Sequence, residues 1–156
     1  MDGGLERVHA TAIAAGGRAA LIFGASGAGK SDLALRCLSL PTSGLISAPV
    51  RLVSDDQVLL ERRGDGLWAA APAALHGKLE VRGIGILDVE AAPASEVVLA
   101  VELTASADVP RLPDPWPQRR ILGLCVPVLK VWAFEASAAQ KVVLALLSRN
   151  LPAVQP

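Results

Sequence analysis

Residues 24–31 read Gly24-Ala25-Ser26-Gly27-Ala28-Gly29-Lys30-Ser31, a complete G-x-x-x-x-G-K-[ST] pattern. No other stretch restricts the fold as strongly. Apolar Leu21-Ile22-Phe23 precedes it, and Leu33, Ala34, Cys37 and Leu38 behind it recur at the spacing of one helical face. Strand, glycine-rich loop and helix in that order define a βα unit. Glycines let consecutive backbone N–H groups converge on phosphate oxygens at the positive end of the following helix. Lys30 then reaches the β- and γ-phosphates, and the Ser31 hydroxyl ligates Mg²⁺, so the expected ligand is MgATP or a similar nucleotide. The bland alternative, a glycine-rich turn that binds nothing, leaves the Lys-Ser pair and the helix behind it unexplained.

A phosphate loop does not name the phosphoryl acceptor, so carboxylates elsewhere matter. Asp55-Asp56 follow the apolar run Leu52-Val53, which places them at the C-terminal end of a central strand, where open α/β sheets put their chemistry. A carboxylate there either holds Mg²⁺ or accepts a proton from an attacking hydroxyl. A turn-initiating Asp pair is the structural alternative. The third segment, Leu79 to Val89 (LEVRGIGILDV), reads as a strand interrupted by glycines. Glu80 and Arg82 alternate with Leu79 and Val81 and so share a face. That face either meets the phosphates, Glu80 through the metal and Arg82 through an oxygen, or is an exposed salt-bridged surface.

The length of 156 residues fits one domain, 1–156, with residues 1–6 and 152–156 expected as flexible ends. Hydrophobic residues supply 52% of the chain and aromatics only 3%, so the core must be aliphatic. Fifteen basic residues balance fifteen acidic ones, which gives no argument for nucleic acid or an anionic membrane. No apolar run approaches the roughly 18 residues of a membrane span, and no basic-then-apolar leader opens the chain. Cys37 and Cys125 lack metal-ligand spacing, so a reducing, cytoplasmic setting is expected. Further strands are expected at 8–15, 18–23, 50–54, 57–63, 67–71, 96–103 and 127–132. Helices are expected at 32–40 and 137–150. Gly16-Gly17 reads as a hairpin turn, and four prolines make 108–118 irregular. The result is one α/β domain with a mixed sheet and flanking helices.

Taken together, GASGAGKS, LVSDD and LEVRGIGILDV resemble the HPr kinase/phosphorylase family, whose catalytic domain carries GxSGxGKS, a strand ending in two aspartates, and LEIRGxGIIDV. The resemblance covers roughly residues 7–130. It implies a P-loop kinase domain similar to the nucleotide-binding domain of phosphoenolpyruvate carboxykinases. The implied activity is ATP-dependent phosphorylation of a serine of the phosphocarrier HPr, with phosphate-dependent removal of that group in reverse. By matching positions, residues 24–31 bind ATP, Ser31, Glu80 and Asp56 serve Mg²⁺, Asp55 is the base, and His9 either interacts with Asp55 or is a buried structural histidine. His76 has no counterpart and reads as structural. The chain looks like the short alphaproteobacterial-type form without the N-terminal domain, and the resemblance implies a homo-oligomer, a hexamer. It departs from the longer enzymes at Glu90-Ala91-Ala92-Pro93 and at Phe134, which stands where they have an active-site Arg. That replacement predicts weak reversal, unless Arg119, Arg120 or Lys130 fills the role. A small-molecule P-loop kinase and a catalytically weak ATP-binding regulator are the alternatives.

Overall fold

The computed structural model describes residues 3–156. Leu5–His9 (β1) and Thr11–Ala15 (β2) lead through a tight turn into Arg18–Phe23 (β3). Gly16 and Gly17 both hold positive φ, 59° and 78°, as a two-residue turn between antiparallel strands requires. After the phosphate loop come Lys30–Leu38 (α1), Val50–Ser54 (β4), Gln57–Arg63 (β5), Gly66–Ala70 (β6), Lys78–Val81 (β7) and Gly85–Asp88 (β8). Ser95–Leu103 (β9), Gln118–Ile121 (β10), Leu124–Val131 (β11) and Ala138–Leu147 (α2) complete the chain.

The sheet is mixed and curls on itself. Its path runs β1-β5-β6-β9-β3-β2-β4, with β11 also beside β9 and β10 beside β11. β3 pairs parallel with β9, and β9 with β11. β2 is antiparallel to both β3 and β4, so β4 points the same way as β3. The C-terminal ends of β3, β4, β9 and β11 therefore share one edge.

Two aliphatic clusters cover the two faces of the sheet. One joins α1 and α2 to it through Leu33, Cys37, Leu99, Val142 and Leu146. The other fills the inside of the curl with Leu21, Leu60, Leu67, Leu124 and Val126. Both helices thus lie in one cluster, and the opposite face is closed by strands. Phe23 is the only aromatic side chain among the buried residues described, so the aliphatic core expected from composition is what forms. Each fully buried Leu or Ile contributes roughly 1.5–3 kcal/mol by leaving water.

Several elements differ from the expectations. Residues 8–15 are not one strand: the ladder on β5 ends with His9 against Gln57, breaks at Ala10, and resumes on β4 with Ala12 against Ser54 before the register shifts by one at Ile13 against Leu52. β4 is an outer strand, not a central one, its free edge covered by Leu52 bonding to Glu90 and Ala92. Residues 79–89 form a hairpin, because Val81 accepts the turn bond from Ile84 N–H (3.0 Å) and reverses the chain. β10 extends from the end of the proline-rich stretch. The ends are paired: Leu5 and Glu6 lie against Glu61 and Leu60, and Gln155 bonds to Cys125 in both directions. Residues 1–2 fall outside the described residues.

Candidate active site

The phosphate loop joins the C-terminal end of β3 to α1. Gly29, at the N-cap of α1, has φ 100°, a left-handed conformation that suits glycine. Among the described residues the loop amides make one backbone bond within residues 24–31, Ala28 N–H to the Ala25 carbonyl (3.0 Å). The remaining donors and those of the first helical turn stay open to an oxyanion. Lys30 is buried, and its ammonium donates to the carbonyls of Gly24 (2.8 Å) and Ala25 (3.0 Å). The loop therefore wraps around the cation. Gly24 through Ser31 are thus placed as a phosphate cradle.

Asp55 and Asp56 end β4 on the same edge but do different things. Asp55 is 5% exposed. Its Oδ1 accepts from the Ser31 hydroxyl (2.7 Å) and the Thr11 hydroxyl (2.9 Å), and its Oδ2 from the Glu80 N–H (3.1 Å). Three donors from the loop helix, β2 and β7 hold it beneath the site. Asp56 adopts φ 68°, a region Asp tolerates better than most residues, and this turn sends its carboxylate outward. There it meets His9, Nδ1 to Oδ1 3.2 Å, with both side chains at least half exposed. The expected partnership of His9 with Asp55 is corrected by this geometry: His9 stands by Asp56, because the left-handed turn separates the two carboxylates.

A cleft of about 370 Å³ opens between the phosphate loop, Asp56, the β7–β8 turn and the segment after β11. Lys30, Ser31, Asp56 and Glu80 line it, as do Arg82 and Phe134. Glu80 lies on β7 and Arg82 in the following turn, so they reach the cleft from a hairpin and not from one strand face. His76 is exposed and lies outside. Thr11, which fixes Asp55, was not foreseen; its signal was a lone hydroxyl in the otherwise apolar, fully buried TAIAA strand.

The cations considered as replacements for the missing Arg stand elsewhere. Arg119 stacks on Phe23 (3.7 Å) and pairs with Glu102 (3.5 Å), Arg120 bonds to Gly123 in its own hairpin, and Lys130 lines a separate pocket of about 290 Å³ near the proline-rich stretch. Among the described residues no three His, Cys, Asp or Glu side chains form a ready-made metal cage. Ser31, Asp55, Asp56 and Glu80 nevertheless supply the hydroxyl and carboxylate oxygens that suit Mg²⁺, an ion that keeps several waters and takes other ligands from phosphates. The donor set fits that ion.

The family model for the HPr Serine kinase C-terminal domain matches residues 5–149. The chain belongs to this family. It is 33% identical over 137 residues to an HPr kinase/phosphorylase of Limosilactobacillus reuteri, covering 81% of this chain and 40% of that protein. An HPr kinase/phosphorylase of Exiguobacterium sibiricum is 41% identical over 83 residues, 53% of this chain and 24% of the relative. The chain thus spans well under half the length of these curated relatives. The solved Hpr(Ser) kinase/phosphatase of Coxiella burnetii superimposes with a TM-score of 0.72 at 25% identity, covering 90% of this chain and 87% of that one. The α/β kinase fold expected for the HPr kinase family is therefore the fold observed. No described helix is long and apolar enough to cross a membrane.

Proposed function

We propose that this chain is an ATP-dependent protein-serine kinase acting on HPr or an HPr-like phosphocarrier in the cytoplasm. The observation that carries the reading is the division of the aspartate pair. One carboxylate is buried on the phosphate-loop serine, and the other is exposed at the mouth of the cleft beside a histidine. A base must reach the proton it takes. Asp55 is covered and its oxygens are engaged, whereas Asp56 stands where a serine on a protein surface can approach. The roles expected from the resemblance are accordingly exchanged: Asp56 is the base, and Asp55 organises the metal side through Ser31.

In this reading the open loop amides hold the α- and β-phosphates and Lys30 the β- and γ-phosphates, in line with the incoming hydroxyl. As the serine oxygen bonds to the γ-phosphorus, Asp56 accepts its proton and ADP leaves. His9 holds the Asp56 carboxylate in position. Ser31, held by Asp55, and Glu80 would hold Mg²⁺, which when bound offsets charge on the phosphate oxygens. The serine of HPr as acceptor rests on the names of the relatives. The test is mass spectrometry of HPr incubated with the protein and MgATP. A phosphoserine formed by the wild type and not by Asp56→Asn supports the reading, and phosphate found only on small metabolites overturns it.

A further inference from the structure

The cleft is lined by polar and apolar groups together, Lys30, Asp56 and Glu80 with Leu35 and Phe134. Phe134 lines the cleft yet is 71% exposed, an aromatic ring covered by nothing on its open side.

Its placement is fixed by the segment between β11 and α2. The Arg36 guanidinium donates to the Ala133 carbonyl and pairs with Asp32 (3.1 Å), tying this segment to α1. A Cβ built on Gly29 would lie 3.5 Å from the Ala133 Cβ, so the segment runs against the phosphate loop itself. The Trp132 ring meets Phe134 edge-on, 6.5 Å between centroids at 74°, which braces the ring from behind. Phe134 is therefore a held platform beside the loop.

The direction of a bound nucleotide follows from the loop, and in this the inference rests on the reading above. Lys30 serves the β- and γ-phosphates, and the loop amides at the helix start serve the α- and β-phosphates. The chain leaving the α-phosphate then passes over the first turns of α1, past Asp32 and toward Leu35. Phe134 lines the same cleft, on a segment tied to α1 through Arg36 and the Ala133 carbonyl. We propose that Phe134 is the surface on which the nucleobase stacks, opposite the apolar side of Leu35. No side chain with a base-edge donor or acceptor is needed for such a contact, because every base has a π-face. The site thus holds a nucleobase by stacking and hardly distinguishes adenine from guanine.

The test is calorimetric titration of the whole chain with ATP, GTP and inorganic tripolyphosphate, each with Mg²⁺. The wild type is expected to bind ATP and GTP within about fivefold of one another. Phe134→Ala should weaken ATP by about tenfold or more, the worth of one base–aromatic stack, and leave tripolyphosphate unchanged. Phe134→Trp should keep ATP affinity. Equal loss for ATP and tripolyphosphate, or no loss for either, overturns the proposal and gives Phe134 to another partner. A wild type that binds none of the three overturns the phosphate-loop reading as well.

Discussion

The aspartate pair makes the sharpest prediction, because the same conservative change should act on stability at one position and on chemistry at the next. In Asp55→Asn the amide oxygen can still accept from the Thr11 and Ser31 hydroxyls, which bond Oδ1 at 2.9 and 2.7 Å. The amide nitrogen then faces the Glu80 N–H, which bonds Oδ2 at 3.1 Å in the wild type. A donor against a donor leaves one buried N–H unsatisfied, and the flipped amide instead exchanges the two hydroxyls' bonds to a charged oxygen for neutral ones; either costs about 2 kcal/mol. For a domain of this size that lowers Tm by roughly 4–8 °C, and MgATP affinity falls with it. Asp56→Asn should behave oppositely. Its side chain is 60% exposed and its His9 partner 50%, and such surface pairs contribute about 0–1 kcal/mol. Asn accepts the left-handed backbone as readily as Asp does. Tm should therefore move by less than about 4 °C, ATP should still bind, and turnover should fall by about 10² or more. Thermal unfolding, calorimetric titration and a transfer assay on both variants check this. If Asp55→Asn keeps wild-type stability and ATP affinity and loses only turnover, the roles assigned to the two carboxylates are wrong.

Three further outcomes are expected. Burial pushes the Cys37 thiol from 9.0 up to about 12, with Arg36 pulling slightly the other way; below the unfolded value both states keep the proton, and above it only the unfolded chain ionises. Stability should therefore fall by about 1.4 kcal/mol per pH unit between roughly 9 and 12 beyond whatever Cys37→Ala shows in urea unfolding, and equal slopes would contradict it. Gly29→Ala, at φ 100°, should cost about 1–3 kcal/mol in unfolding and weaken ATP, since the strain is conformational and its 3.5 Å approach to Ala133 is ordinary contact; an unchanged denaturation midpoint would refute this. Phosphate-dependent dephosphorylation should be much slower than the kinase reaction, because the family resemblance implies an Arg at the position of Phe134 and Arg119 is held by Phe23 and Glu102. Release of pyrophosphate from serine-phosphorylated HPr and excess phosphate at a comparable rate would show that cation to be dispensable.

What could be read from the residues was whatever local chemistry dictates. GASGAGKS carries its own turn geometry and helix start, and Gly16-Gly17 its own hairpin. The strands expected at 57–63 and 67–71 are β5 and β6. What escaped was set by tertiary pairing. Alternation in LEVRGIGILDV fits one strand or two, and only the Val81–Ile84 turn bond decides between them. β10 hides beside prolines because its pairing partner, β11, is what makes it a strand. Nothing in Asp55-Asp56 says which carboxylate turns inward. That depends on Thr11 and Ser31 arriving from two other elements, and on Asp56 taking the left-handed turn.

The most direct test of the central claim is single-turnover transfer from radiolabelled ATP to HPr, with the wild type and Lys30→Ala side by side. Lys30 sits buried at the centre of the phosphate loop, so its charge should be needed as the phosphoryl group moves. Label is expected on a serine of HPr with the wild type and none with Lys30→Ala, whose fold persists. Transfer that survives the loss of Lys30, or a wild type that binds ATP and never labels HPr, would contradict it.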